Sequence, residues 1–222
     1  MNKTTSVSRK TFEKYDAEHI LVYFGESEKE MPAMQDSENA QVVYEYDTVL
    51  VKGQTATVEA IKEALVAEGF GGYEAEAIAA GVLLQAVQDG QAEGDALTLA
   101  KQMVTARIGA YDESTAVNSI TIVGKKTWIP RAYREMFADR LAQEQRRGHE
   151  TLSLDLPDAQ PGDEPLTLDV ELASLMLDQL NDYATDCYDV TKGHERAVAA
   201  LTTVKKVLAY DFTTGYPPKL SF

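Results

Sequence analysis

The segment that most constrains the fold is a long run of helical periodicity in the last quarter of the sequence. Apolar side chains recur there at alternating steps of four and three, at Leu172, Met176, Leu180, Tyr183, Cys187 and Val190. Such a stripe is typical of a helix that buries one face. Asp169 is a suitable N-cap for it. If Gly193 does not interrupt the pattern, it continues to Leu201, which predicts a helix of about 33 residues and about 50 Å.

A helix of that length needs something to cover its apolar stripe. One interpretation packs it on a small sheet formed by nearby strands, and the other joins it to copies of itself in a coiled coil. The heptad series is short, which favours the sheet. The chain has 222 residues, of which 44% are hydrophobic and 26% charged, a composition typical of globular proteins. Its length predicts one domain with an appendage, or two small domains.

The first half of the sequence predicts a β-hairpin followed by helices. Residues 18–24 and 41–51 are rich in β-branched and aromatic side chains, which favours two strands that could pair. The acidic segment between them, 25–38, contains Pro32 and predicts an exposed loop, and residues 1–10 are expected to be mobile. Three series of helical spacing follow, and their expected stops are Gly69, Gly90 and Gly109.

The second half alternates short strands with helices. Residues 118–129 predict a hairpin that turns at Gly124, and Pro130 suits the first position of a helix that ends at Gly148. Residues 150–156 and 166–168 predict two further strands, joined by a loop with three prolines. A short helical segment near Thr203 then leads to an aromatic tail, 210–222, which we expect to dock on the fold or on a neighbour.

Charge and cysteine content exclude several classes of protein. With 21 Lys and Arg against 36 Asp and Glu, the net charge of −15 repels phosphate backbones, so we expect no direct nucleic-acid partner, although a DNA mimic stays open. The single cysteine cannot form an internal disulfide. An apolar N-terminal core and a run of about 20 apolar residues are both absent, which predicts a soluble chain made in a cytosol, without membrane insertion.

The sequence contains no motif that points to catalysis. The three histidines, His19, His149 and His194, are scattered, and Cys187 has no CxxC partner, so no metal site is expected. Cys187 lies on the apolar stripe beside acidic residues and is predicted to be core. Walker A and GxGxxG patterns are absent, and prolines interrupt the one acidic loop that could resemble a calcium loop, 155–164. We therefore predict a protein without enzymatic activity and without cofactors.

Two features leave an interaction role open. Segment 131–147 alternates arginines with acids, which predicts a solvated face with local ion pairs such as Arg131 with Glu135. Docking of this face to an acidic partner is the alternative. Trp128 is expected to anchor the core, and an exposed stacking role in glycan binding is the alternative.

Residues 112–122, 183–201 and 210–220 resemble a known family. These stretches include "AVNS" at 116–119 and "YDFTTGYPPKL" at 210–220. They are similar to a domain-of-unknown-function family at the C-terminal part of phage and prophage tail and fibre proteins, especially from phages of gut bacteria. The resemblance covers about the second half of the chain and implies a hairpin, a helix, a strand pair and a long helix in that order. The loop from Asp155 to Glu164 is longer and more proline-rich than the family pattern, which puts the local strand pairing in doubt.

We therefore expect an α+β fold with an N-terminal β-hairpin, a helical middle, and a C-terminal small antiparallel sheet packed with a long helix. The expected segments are an attachment arm, 1–52, a helical segment, 53–110, and a phage-tail-type domain, 111–222. The resemblance implies a non-enzymatic virion protein of tail or fibre, with other phage structural proteins and copies of itself as partners. The candidate docking residues are Tyr216, Pro217, Pro218 and Phe222.

Two other functions remain open at this point. The chain could be a cytosolic fibre-assembly chaperone or adaptor that is absent from the mature virion. A glycan-binding receptor module is the weaker alternative, because Trp128 and the many tyrosines allow it while no carboxylate pair supports a depolymerase.

Overall fold

The computed structural model describes residues 2–6, 8–31, 41–53 and 55–222. The chain divides into two compact units. The first contains Met1–Ala110 and Glu195–Asp211, and the second contains Tyr111–His194 and Phe212–Phe222. The predicted segments 1–52 and 53–110 thus fall within one unit, which also takes in a short stretch from the last part of the sequence.

The first unit contains a four-stranded antiparallel sheet. Its strands are β1 (Asn2–Ser6), β2 (Phe12–Lys14), β3 (His19–Met31) and β4 (Gln41–Lys52), in the order β1-β4-β3-β2. The predicted hairpin is confirmed, with Ile20 opposite Val51 and Val22 opposite Val49. These four side chains share one face and are buried, so the sheet forms one wall of the core of this unit.

Two predictions about this sheet are wrong. Residues 2–6, expected to be mobile, form β1 and pair with β4, and Thr48 Oγ1 donates a hydrogen bond of 2.9 Å to the carbonyl of Asn2. Residues 25–31, expected to be loop, continue β3 beyond a bulge at Gly25, where φ is +64°. Both segments are held by backbone pairing, which needs no apolar side chains. Met1, Val7 and positions 32–38 of the expected arm and loop lie outside the described residues.

Among its described residues, the first unit also contains the helices α1 (Val58–Ala67), α2 (Gly72–Gln88) and α3 (Ala96–Glu113, to Ala110 in this unit). From the last part of the sequence it takes in the end of a long helix, from Glu195, and a short helix, Val204–Leu208. Thr57 caps α1 by accepting a 3.2 Å hydrogen bond from the Ala60 amide, and Gly69 follows it at φ +99°. The predicted stops at Gly69 and Gly90 agree with the ends of α1 and α2. The predicted stop at Gly109 is wrong, because α3 continues through it to Glu113.

The second unit contains two hairpins and two long helices. The first hairpin pairs β5 (Ile120–Ile122) with β6 (Lys125–Thr127), and the second pairs β7 (Thr151–Leu154) with β8 (Leu166–Asp169). Helix α4 (Arg131–Arg147) lies between the hairpins in sequence, and Gly148 ends it at φ +71°. Pro130 is the N-cap of α4 and not its first residue, a difference of one position from the prediction.

Helix α5 (Val170–Ala200) is 31 residues long and runs through Gly193. Asp169 Oδ1 accepts hydrogen bonds from the amides of Glu171 at 2.8 Å and Leu172 at 3.3 Å, as expected of its N-cap. The side chains that α5 buries with the two hairpins and α4 form one cluster: Ile120, Ile122, Ile129, Phe137, Leu141, Leu152, Leu154, Ala173, Met176, Leu177 and Leu180. The small antiparallel sheets packed with a long helix are thus present, and the α+β fold class is confirmed.

Candidate interaction site

The C-terminal tail adds a short strand to the first hairpin of the second unit. The amide of Thr121 donates to the carbonyl of Leu220 at 3.0 Å, and the amide of Phe222 donates back to Thr121 at 2.9 Å. The amide of Val123 then donates to the carbonyl of Phe222 at 2.9 Å. The bridge is parallel, and the tail lies along the edge of β5 that does not pair with β6. Docking of the tail on its own fold, one of the two expected outcomes, is therefore present.

A polar chain fixes the middle of the tail to α5 and to the end of α3. The Thr191 hydroxyl donates to Asp112 Oδ1 at 2.8 Å and lies 3.0 Å from the Tyr216 hydroxyl. Because Thr191 uses its single proton on Asp112, Tyr216 is the donor to Thr191. The ring of Tyr216 packs at 5.5 Å from Tyr111, which also contacts Phe212 at 5.9 Å. Burial raises the pKa of Tyr216 above its ordinary value.

A second polar cluster forms around the carbonyl of Val117. The Tyr183 hydroxyl donates to this carbonyl at 2.9 Å, and the Lys219 ammonium donates to the same oxygen and to Thr115 O at 3.4 Å. Burial lowers the pKa of Lys219 and raises the pKa of Tyr183. Cys187, in the same buried cluster, also has a raised pKa because of burial, and its predicted place in the core is confirmed.

The four predicted docking residues lie in this tail but differ in exposure. Tyr216, Pro217 and Phe222 are half-buried against the second unit, and Pro218 is exposed. Sequence reasoning missed the residues that receive the tail, chiefly Asp112, Thr191 and Thr121. Their separation from the tail in sequence leaves no local pattern to reveal them, and the only signal is that they lie within or beside the stretches that resemble the phage family.

The arginine-rich helix forms one wall of an open groove with α5. The guanidinium of Arg134 donates from Nη1 to the carbonyl of Ile129 at 2.7 Å and from Nε to Asn181 Oδ1 at 3.1 Å, and its Cζ lies over the ring of Trp128, 5.7 Å from the ring centre. Arg131 pairs with Glu135 at 2.9 Å, as predicted for this helix. The groove has a volume of about 520 Å³.

Trp128 also borders a smaller cavity of about 380 Å³. Its half-buried ring packs against both clusters of the second unit and lies 6.1 Å from Tyr183, so it anchors the core as expected. The cavity is also lined by Asn118 and by Asp158, whose carboxylate accepts a 2.8 Å hydrogen bond from the buried hydroxyl of Thr127. An aromatic ring beside amide and carboxylate groups is the combination that a glycan would need.

The described residues, 2–6, 8–31, 41–53 and 55–222, contain neither a candidate metal site nor a candidate membrane span. No three His, Cys, Asp or Glu side chains in them are grouped to hold a metal ion, and no helix in them combines the length and apolar character that a membrane span needs. Comparison of the chain with protein-family models, with curated proteins and with solved structures gives no match.

Proposed function

We propose that this chain is a non-enzymatic structural protein of a bacteriophage particle, a tail, fibre or fibre-attachment component that acts through protein–protein contacts. Its partners are other phage structural proteins and copies of itself. The observation that carries this proposal is that the stretches that resemble the phage family meet in one network. Asp112 binds Thr191, Val117 binds both Tyr183 and Lys219, and Thr121 pairs with Leu220.

The chemistry of this network supports a structural role. Its donors and acceptors are engaged with one another and lie among packed aromatic rings. The one thiol, Cys187, is buried, and burial raises its pKa, which lowers the fraction of reactive thiolate. A nucleophile for catalysis would need the opposite environment. These residues therefore stabilise the shape of the second unit, and function lies on its surfaces.

The first unit offers a surface for attachment by strand pairing. β1 is an outer strand of the four-stranded sheet, and the described residues contain no further strand beyond it. Its side chains are mostly exposed and polar. An outer strand presents unpaired backbone groups to which a neighbouring chain can add a strand. The segment 1–52 can thus attach the chain to a particle without any chemical step.

A specific observation favours glycan binding as the second candidate. Asn118 and Asp158 line the same cavity as Trp128. A receptor-facing module would use these groups to bind a host polysaccharide. Loss of polysaccharide binding in Trp128→Ala, with an unchanged amount of chain in the particle, would support this candidate as an additional role.

Mass spectrometry of gradient-purified particles tests the proposal most directly. We expect the chain at a fixed ratio to the major capsid protein, with a copy number set by the symmetry of the structure it joins. Absence from particles together with abundance in infected-cell lysate would overturn the proposal and favour the fibre-assembly chaperone.

The role of the tail in attachment needs a point variant, because the tail also stabilises the second unit. Pro218 is exposed, so Pro218→Asp changes the surface and leaves the buried contacts of Tyr216 in place. Pro161→Asp, in the exposed loop, is the matched control. If the tail docks on a partner, only the Pro218 variant lowers incorporation into particles. Equal incorporation of both variants would limit the tail to its intramolecular role.

A further inference from the structure

Arg134 is a half-buried cation without a carboxylate partner. The described part of the chain contains no ion pair of Arg134, although nine other basic side chains or histidines are paired or lie within 4 Å of an acid, as the pair of Arg131 and Glu135 illustrates. Burial and the like charge of Arg131 lower the pKa of Arg134, and Glu135 acts in the opposite direction. A partly desolvated charge without a counter-ion is unfavourable unless a ligand supplies one.

Three contacts fix the orientation of this guanidinium. Its Nε–H is held by Asn181, one Nη1–H is held by the carbonyl of Ile129, and its Cζ lies over the ring of Trp128 at 5.7 Å from the ring centre. The second Nη1–H and both Nη2–H groups have no partner in the described residues. These donors form the end-on fork that binds the two oxygens of a carboxylate in parallel. Because the fork is already immobilised, binding loses little side-chain entropy.

The rest of the groove suits an apolar group next to that carboxylate. Ala138 on α4 and Ala184 on α5 leave room for a ligand, and Tyr188 stands at the wall with 58% of its surface exposed. The ammonium of Lys192 lies 5.7 Å from the centre of the Tyr188 ring. Two cations, Arg131 and Arg134, line the groove against one acid, Glu135, so its lining is positive on a chain whose net charge is −15.

We infer that the groove between α4 and α5 binds a carboxylate side chain of a neighbouring protein subunit, with Arg134 as its bidentate donor and Tyr188 in contact with an adjacent apolar side chain. The inference rests on the proposed function, since it names the kind of contact through which the chain would join a particle. The charge of the groove selects an acidic partner segment, and its alanines and tyrosine select apolar character beside the acid.

The site itself is tested with isovalerate, a carboxylate with a small apolar group, and with its neutral amide and inorganic phosphate as comparison probes. In the ¹⁵N-labelled full chain, isovalerate should shift the Arg134 Nε–H and Trp128 indole signals saturably. We expect Arg134→Gln to weaken binding about tenfold or more, and Arg134→Lys to weaken it as well, because an ammonium has no fork. Arg140→Gln is the matched control, since Arg140 is an exposed arginine of α4 that does not line the groove.

Three results would overturn the carboxylate site. The first is an equal response to isovalerate and its amide, the second is an equal response to phosphate, and the third is an equal loss in the Arg134 and Arg140 variants. Circular dichroism of each variant separates loss of the site from loss of the fold.

Particles distinguish this inference from the proposed function. A photo-crosslinking amino acid at Tyr188 should capture an acidic segment of a virion protein, and the same group at exposed Leu172 of α5 should not. If Arg134→Gln enters particles at the ratio of the unmodified chain, the docking role of the groove is wrong and the proposed function stands. If the unmodified chain is absent from particles while the Arg134 signal still responds to isovalerate, the proposed function fails and the carboxylate site stands.

Discussion

The hydroxyl of Tyr183 and the carbonyl of Val117 are joined by a buried hydrogen bond of 2.9 Å. Tyr183 belongs to α5, and Val117 precedes β5, so the bond joins segments 66 residues apart. The Lys219 ammonium, from the tail, donates to the same oxygen. One carbonyl therefore connects the long helix, the first hairpin and the C-terminal tail of the second unit.

Removal of the Tyr183 hydroxyl should destabilise the second unit. We expect Tyr183→Phe to lower the free energy of unfolding by about 1 kcal/mol, because Lys219 continues to satisfy the Val117 carbonyl. The protein has a single tryptophan, Trp128, in this unit, so its fluorescence during urea unfolding is the measurement. Tyr188→Phe, which removes an exposed hydroxyl from the same helix, is the control and should change little. Equal effects of the two changes would contradict the structural importance of the bond.

Stability should also fall at alkaline pH. Burial raises the pKa of Cys187 above its ordinary value of 9.0 and the pKa values of Tyr183 and Tyr216 above 10.0. In the unfolded chain these groups lose protons near their ordinary values, while in the folded chain they keep them to higher pH. The folded state thus binds more protons, and the free energy of unfolding decreases as pH rises, by about 1.4 kcal/mol per pH unit for each proton.

Lys219 has the opposite effect on the pH dependence of stability. Its pKa is lowered by burial, so the unfolded chain holds that proton to higher pH and stability gains as pH rises. Within this network three groups with raised pKa values oppose one with a lowered value, so the free energy of unfolding should decrease above about pH 9. Urea unfolding followed at several pH values gives the slope, which Tyr183→Phe should make shallower. A flat profile between neutral pH and pH values above 10 would be inconsistent with this account.

Local patterns in the sequence predict the elements that apolar spacing and capping define. Asp169 begins its helix as expected, and Gly148 ends α4 in the left-handed region where glycine is favoured. Strand β1, with the sequence NKTTS, has no apolar periodicity, because its stability comes from backbone pairing with β4. Gly109, inside α3, likewise lies against a side chain distant in sequence, the ring of Tyr73.

Of the candidate interaction site, the sequence could predict the segments that form it but not the contacts between them. The aromatic tail is visible in the sequence, and so is the arginine-rich helix, since both are local patterns. The partners are not, because Thr191 and Tyr216 meet across 25 residues, and Arg134 and Asn181 meet across 47. Contacts at such separations depend on how hairpins and helices pack, which no local period encodes.

Val123 should be replaceable with a gain in stability. It occupies the turn between β5 and β6 at φ +49°, and 73% of its surface is exposed. A β-branched side chain is strained there, whereas asparagine followed by glycine suits a two-residue hairpin turn. We expect Val123→Asn to raise the free energy of unfolding by about 1 kcal/mol. Gly124→Ala, at φ +77°, should lower it, and thermal unfolding of both variants is the measurement. A loss of stability in Val123→Asn would show that the valine side chain makes a favourable contact.

Gly109 and Gly193 should respond in opposite directions to the same substitution. Both lie inside helices, but a Cβ at Gly109 would come within 2.6 Å of the Tyr73 ring. A Cβ at Gly193 would meet no described atom within 4 Å beyond its chain neighbours and the backbone of its own helix. We expect Gly193→Ala to stabilise by about 1 kcal/mol through helix propensity. Gly109→Ala should destabilise the protein by a similar amount, because the steric clash with Tyr73 costs more than the gain in helix propensity.

A double-mutant cycle identifies the cause at Gly109. In a Tyr73→Ala background the ring is absent, so Gly109→Ala should become stabilising by about the amount seen at Gly193. Urea unfolding followed by circular dichroism reports on the helices of the first unit, where both residues lie. If Gly109→Ala is equally destabilising with and without Tyr73, then the cost arises elsewhere and the close approach of ring and helix does not explain the glycine.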